Sequence, residues 1–287
     1  MPKNVIDPRL RDCLSFQRDP DVQIPVAPLI LAVTGHRKIE SSIVDVVRAR
    51  VQSFFLQIGQ AWRSSQKPCA ADAVSAPILV LCGMAIGADC MAAEVILNLK
   101  SVYPDLNFQL VAALPMPMSI YAEDFDVDED RENFYRLTEA ADYRIELPLT
   151  QKNQDWVCAH PGESLPNTYR IAQYVELGEF LAANCQYLLA LCGQIDENMF
   201  PRRSGSAIIP ATVCPNPGGS EDVVRMKLAR TDSEEVIPVH QRSACNITDF
   251  GSMPPVGSVF QIVAPKKGYM AQNGERTAAP GTLWVYR

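Results

Sequence analysis

Apolar residues fall along this chain in short unbroken runs, separated by longer stretches with helical spacing. The run Leu29-Ile30-Leu31-Ala32-Val33-Thr34-Gly35 is stopped by glycine. A short apolar run closed by a turn residue reads as a strand buried on both faces of a parallel sheet. Residues 40–61 then place Ile43, Val46, Val47, Val51, Phe54, Phe55 and Ile58 near the helical period, which predicts a helix. Residues 64–76 are polar and rich in Ala and Ser, and read as a loop. A second strand, Ile78-Leu79-Val80-Leu81, ends at Cys82-Gly83 and is followed by an Ala- and Leu-rich helix over 88–100. Phe108 to Ala113 forms a third strand, closed by Leu114-Pro115-Met116-Pro117. A helix over 129–141 leads to a short strand near Tyr143–Leu147. The stretch through Trp156, His160, Pro161 and Pro166 reads as a loop. The clearest helical period runs from Tyr169 to Asn184. A strand at Tyr187–Leu191 stops at Cys192-Gly193, and residues 193–217 are loop-like. Gly218-Gly219 opens a helix through Ala229, and Val259–Val263 is the last core strand.

Strands alternating with helices predict an α/β fold, a mainly parallel sheet with helices on both faces. The organisation expected is an N-terminal arm over 1–28, one domain over 29–263 and a C-terminal extension over 264–287. The apolar end Leu283-Trp284-Val285-Tyr286 is compatible with a longer chain. In open parallel sheets, ligands bind outside the carboxyl ends of the strands. Three strand ends here run into glycine-containing loops that can expose backbone N–H groups, and that convergence predicts a site.

Composition narrows the chemistry. Of 287 residues, 47% are hydrophobic and 21% charged, as in ordinary globular proteins. Lys and Arg number 26 against 33 Asp and Glu, a formal net charge of −7. That balance argues against non-specific binding to nucleic acid or anionic membranes, which needs clustered Lys and Arg. No apolar run is long enough to span a bilayer, and the N-terminus lacks the apolar stretch of a signal peptide. The nine cysteines are scattered without a C-x-x-C pair. They read as small core hydrophobes of a reducing cytoplasm. The three histidines, His36, His160 and His240, do not supply zinc-ligand spacing.

The candidate site residues lie at the strand ends. After the first strand come Thr34, Gly35, His36 and Arg37: glycine for a sharp turn, a hydroxyl, and a guanidinium fork suited to phosphate. After the second come Gly83, Met84, Gly87, Ala88 and Asp89. Two glycines four positions apart, just before a helix, suit a phosphate at a helix N-terminus. Asp89 can bond a sugar hydroxyl or serve the helix start. Pro115 and Tyr121 close the third strand, with Tyr121 either stacking on a base or packing under the proline loop. Gly218, Gly219 and Ser220 open a further helix. The acidic run from Glu123 to Glu132 reads as a solvated helix start. Tyr169, Arg170 and Tyr174 sit where they can line a site.

Taken together, Thr34-Gly35-His36-Arg37, Gly83-Met84-Ala85-Ile86-Gly87-Ala88-Asp89, the Leu114 to Phe125 stretch, the Tyr187–Gly193 strand end and Pro217-Gly218-Gly219 resemble the SLOG superfamily. These are Rossmann-like domains related to the DNA-processing protein A group and the LOG nucleotide hydrolases. The resemblance covers residues 29–263 and is closest to bacterial sensor domains, some of them parts of anti-phage defence systems. It implies a phosphorylated nucleotide ligand, such as an NAD-derived or cyclic nucleotide signal, that regulates a fused or associated effector. No further cofactor is implied, and a homo-oligomer is expected. Gly35, Arg37, Gly83, Gly87, Asp89, Gly218, Gly219 and Ser220 would face the ligand.

The enzymatic branch of that family uses P-G-G-x-G-T-x-x-E, with a catalytic glutamate six positions after the second glycine. Arg225 stands there in this chain, and Glu221-Asp222 replaces the G-T pair. Ribosyl cleavage needs a carboxylate beside an oxocarbenium-like centre, by analogy with glycosidases. A sensor is therefore the first expectation and a nucleotide N-glycosidase the second, with Glu94, Glu221 or Asp222 as substitute carboxylates. A single-stranded DNA binder is the third.

Overall fold

Side chains along the buried strands divide cleanly between two cores, one on each face of a single sheet. Leu31 and Val33 point to one face and Ala32 to the other. Ile78, Val80 and Cys82 oppose Leu79 and Leu81, while Leu110 and Ala112 oppose Val111 and Ala113. This two-residue alternation, with apolar residues on both sides, is why the strands read as continuous hydrophobic runs.

The computed structural model describes residues 5–6, 27–66, 76–193, 202–204, 207–209, 217–229, 243–244, 253–254, 256–265 and 279–286. Seven strands run parallel: β1 (Val5–Ile6), β2 (Leu29–Gly35), β3 (Ile78–Cys82), β4 (Phe108–Leu114), β5 (Tyr143–Glu146), β6 (Tyr187–Cys192) and β10 (Val259–Val263). A hairpin, β7 (Arg202–Ser204) with β8 (Ala207–Ile209), stands apart from the sheet. Two antiparallel strands, β9 (Ser243–Ala244) and β11 (Leu283–Tyr286), extend the far edge. The spatial order is β1-β5-β4-β3-β2-β6-β10-β11-β9. From β2 the chain steps outward through β3, β4 and β5, then returns to place β6 on the other flank of β2. The protein is thus an α/β protein with a Rossmann-like sheet, and its topological switch point lies between β2 and β6.

Helices cover both faces. On one face, α1 (Val44–Ser65) buries Val47, Val51, Phe54, Phe55 and Ile58, and α2 (Ala88–Val102) buries Met91, Ile96 and Leu99. Val46, counted with the apolar stripe, is exposed instead. The short helix α3 (Met118–Tyr121) leads to α4 (Asp128–Ala140), which adds Phe134 and Leu137 to the same core. On the opposite face lie α6 (Asn167–Asn184) and α7 (Ser220–Ala229), which contribute Leu181, Val223 and Val224. Gly178 lets these two helices approach: a Cβ there would sit 3.0 Å from Val223 Cγ2 and 3.3 Å from Met226 Sδ.

The buried Lys227 of α7 donates through Nζ to the carbonyls of Ala182 (3.2 Å) and Cys185. It therefore satisfies the carbonyl end of α6, where a cation also suits the helix dipole. Lys227→Met keeps the apolar stem and leaves those carbonyls without their donor. We expect a loss of about 1–2 kcal/mol, read as a lower urea midpoint with an unchanged slope.

Several expectations require correction. Residues 193–217, read as loop-like, carry the strands β7 and β8. The stretch read as a loop through Trp156 contains α5 (Gln151–Ala159), started by Thr150, whose hydroxyl accepts the Asn153 N–H at 3.3 Å. The presumed arm contributes Val5–Ile6 as an edge strand beside β5, and the rest of it before Ala27 lies outside the described residues. Within the stretch expected as a C-terminal extension, Leu283–Tyr286 pairs with β10 in the main sheet, while residues 266–278 lie outside the described residues. Among the described residues, no helix is long and apolar enough to cross a membrane. Cys82, Cys90, Cys185 and Cys192 are buried as expected, while Cys158 is exposed.

Candidate functional site

The turn after β2 is locked by contacts that tolerate no side chain at Gly35. A Cβ there would lie 2.8 Å from the Leu191 carbonyl and 2.9 Å from Leu191 Cβ. The next residue ties three elements together. His36 N–H donates to Leu191 O (3.0 Å), its carbonyl accepts the Ala88 N–H (3.1 Å), and its Nε2 accepts the Gly193 N–H (3.0 Å). In the neutral ring this leaves the proton on Nδ1. β2, the end of β6 and the start of α2 are thereby fixed relative to one another.

The turn after β3 is equally constrained. Gly87 has φ +84° at the start of α2, and a Cβ there would meet the His36 carbonyl at 2.7 Å. Gly83 lies beside Asp89, whose Oδ2 would be 2.8 Å from an added Cβ. The Asp89 side chain folds back, and Oδ2 accepts the Ala85 N–H at 3.3 Å. Its Oδ1 is buried without a hydrogen-bond partner among the described residues. Burial pushes the Asp89 carboxyl up to about 7, offset in part by the Ala85 N–H and by Arg37.

The β4 side supplies a wall. Tyr121 is 2% exposed, edge-on to Phe125 and Phe134, with its hydroxyl donating to Gly83 O at 3.2 Å. With its ring so enclosed, it is a packing residue and not a stacking platform for a base. Pro115 is likewise structural, its carbonyl accepting Gln173 Nε2 at 2.7 Å.

Beyond this wall lies a polar cluster centred on Asp124. The buried Arg170 donates through Nε to Leu165 O (2.7 Å), through one terminal nitrogen to Ile120 O (3.1 Å) and Asp124, and through the other to Glu123 (2.6 Å). Asp124 also accepts the Tyr174 hydroxyl. Arg37 is half-exposed, 3.5 Å from Asp124, with its guanidinium carbon 5.1 Å from the Tyr174 ring centroid. The Tyr174 hydroxyl is pushed up to about 12, mainly by burial.

The start of α7 closes the site. Gly218 has φ +74°, and a Cβ there would strike the α6 backbone 2.9 Å away at Tyr174 and Val175. Its N–H donates to Asp222 Oδ2 (2.9 Å), while Asp222 Oδ1 takes Nε (2.9 Å) and a terminal nitrogen (2.5 Å) of Arg225.

These elements enclose one cavity of about 630 Å³ at the switch point. Of the residues singled out by sequence, it is lined by Thr34, Gly35, His36, Arg37, Gly83, Asp89, Tyr121, Tyr174, Gly218, Gly219 and Ser220, but not by Tyr169 or Arg170. Met84, Gly87, Ala88 and Pro115 do not border it. Met84 is fully buried in the core at φ 58°, and Gly87 and Ala88 hold the turn behind the wall. Sequence reasoning missed Lys38, Asp124, Asp126 and Leu177, all on the lining.

The substitute carboxylates fare differently. Glu94 pairs with Arg48 and Arg136 away from the cavity, and Asp222 is committed to Gly218 and Arg225. Glu221 borders the cavity. No protein-family model matches the chain, and no curated protein matches it. Fold and site together define an α/β protein with a Rossmann-like sheet and a cavity of mixed polar and apolar lining where ligands bind in such sheets.

Proposed function

We propose that this chain is a ligand-sensing module of SLOG type that takes a phosphorylated nucleotide, an NAD-derived or cyclic nucleotide signal. Occupancy of the cavity would regulate a fused or associated effector in bacterial anti-phage defence, in a homo-oligomer. One observation carries the reading: the start of α7 and the Arg37 guanidinium meet one cavity at the switch point, with Asp89 of α2 on its wall. Helix N-termini and a guanidinium fork are the groups that hold phosphate.

Arg37 is suited to this task by what it does not have to do. Asp124 is already satisfied by Arg170 and Tyr174. The 3.5 Å contact from Arg37 is loose, and its side chain is 42% exposed. Arg37 can therefore turn to a phosphate without leaving a buried carboxylate uncompensated.

A thermal-shift panel of NAD, ADP-ribose and its cyclic forms, cyclic dinucleotides and nucleoside monophosphates tests the proposal. At about 100 times its dissociation constant a ligand adds roughly 2.7 kcal/mol. Arg37→Ala is expected to weaken binding about tenfold or more while leaving the unliganded melting temperature near that of the natural chain. Undiminished binding by Arg37→Ala would place the ligand elsewhere. Ligand recovered intact supports a sensor. Release of free base, lost in Glu221→Gln, would favour the nucleotide N-glycosidase reading.

A further inference from the structure

Asp89, on the cavity wall, has only half of its hydrogen bonding in place. Oδ2 accepts the Ala85 N–H, but Oδ1 has no partner among the described residues although the residue is 7% exposed. An unsatisfied buried oxygen is costly, and more so when charged. The helix start does not require it, since asparagine would accept the Ala85 N–H equally well.

The unsatisfied atom limits what can meet it. An anionic group would be repelled by the carboxylate. A metal ion needs several converging donors, and among the described residues no group of three His, Cys, Asp or Glu is placed to hold one. A neutral hydroxyl supplies the missing donor and brings no charge. The surrounding charges agree. Asp126 and Glu221 share the lining with Arg37 and Lys38, so the cavity is not a basic funnel for a ligand rich in phosphate.

We infer that Asp89 is a specificity-determining residue: its Oδ1 accepts a hydrogen bond from a sugar-type hydroxyl, so the cavity selects a hydroxylated phosphate ester over a bare phosphate. This rests on the phosphate-binding reading above, with the phosphate lying toward Arg37 and the start of α7. Leu177 lies on the same lining, its Cδ2 3.2 Å from a Cβ built on Gly83.

The test is titration calorimetry at pH 8, above the value of about 7 at which the Asp89 carboxyl ionises, with inorganic phosphate and with ribose 5-phosphate, on the natural chain, Asp89→Asn and Arg37→Ala. Asparagine keeps an acceptor for Ala85 and turns the unsatisfied acceptor into a donor. In the natural chain, ribose 5-phosphate is expected to bind at least tenfold tighter than phosphate. In Asp89→Asn that preference is lost while phosphate affinity does not fall, because a repelling charge has been removed, and in Arg37→Ala both affinities fall together. Equal affinities in the natural chain, or a preference that survives Asp89→Asn, would overturn the assignment and leave the phosphate reading standing. Failure of both probes to bind the natural chain would overturn the two together. If the amide variant does not fold, the affinity ratio in the natural chain decides.

Discussion

Asp89→Asn is expected to make the unliganded protein more stable, by an amount that grows with pH. The folded carboxyl holds its proton up to about pH 7, against an ordinary value of 3.8. Between these values the unfolded chain has lost a proton that the folded chain keeps, so stability from this group falls as pH rises and levels off above about 7. Asparagine does not titrate. The advantage of the variant therefore opens between pH 4 and 7 and reaches roughly 4 kcal/mol at most. Urea unfolding at pH 5 and pH 8 measures it directly. A variant less stable than the natural chain at pH 8 would mean that the carboxylate is compensated, and the reasoning about its unsatisfied oxygen would fail with it. A gain in stability paired with a loss of ligand selectivity is the signature of a residue kept for binding.

Arg170→Met has the largest expected cost. It removes the donors to Leu165, Ile120, Glu123 and Asp124 in one step and leaves Asp124, whose side chain is 5% exposed, without its closest cation. Breaking a buried ion pair from one side typically costs about 3–5 kcal/mol. The remaining hydrogen bond from Tyr174 keeps the expected loss near the lower end. The second consequence is functional. Arg37 becomes the nearest cation for Asp124, and a guanidinium held there is withdrawn from phosphate. Phosphate affinity should fall even though Arg170 itself is buried behind the cavity. Adding Asp124→Asn should restore most of the stability and release Arg37. A double variant no more stable than Arg170→Met would show that the cost lies in the two lost carbonyl contacts.

The buried strands were readable because both faces of the sheet are covered. Every position in β3 and β6 is buried, and such runs have few alternatives in a chain of this composition. The helix α5 was not readable for the opposite reason. Among its residues Asn153 alone is buried, so no apolar stripe marks it, and the signal at its start is a single threonine cap. Within the site, the glycine turns announced themselves because close backbone approach leaves few choices of residue. Asp124 did not. It stands in an acidic run that reads as solvated, and its burial depends on Arg170, 46 positions away in sequence. Tyr121 shows the converse limit: its spacing after the proline loop fits either role, and the aromatic cluster around it decides for packing.

The seam between β2 and β6 has a consequence for the order of folding. Ile30 N–H donates to the side chain of Gln186 across 156 positions of chain, and all three locking contacts of His36 reach beyond its own strand. Closing so long a loop carries a large entropic cost before any contact repays it, and non-local parallel pairing is intrinsically slow. The strands β2 to β5 can assemble sequentially as the chain emerges, whereas the cavity does not exist until β6 docks beside β2. A ligand therefore cannot template the early steps. It can act only on the last closure, slowing its reversal, so ligand binding should appear in unfolding rates and leave refolding rates nearly unchanged.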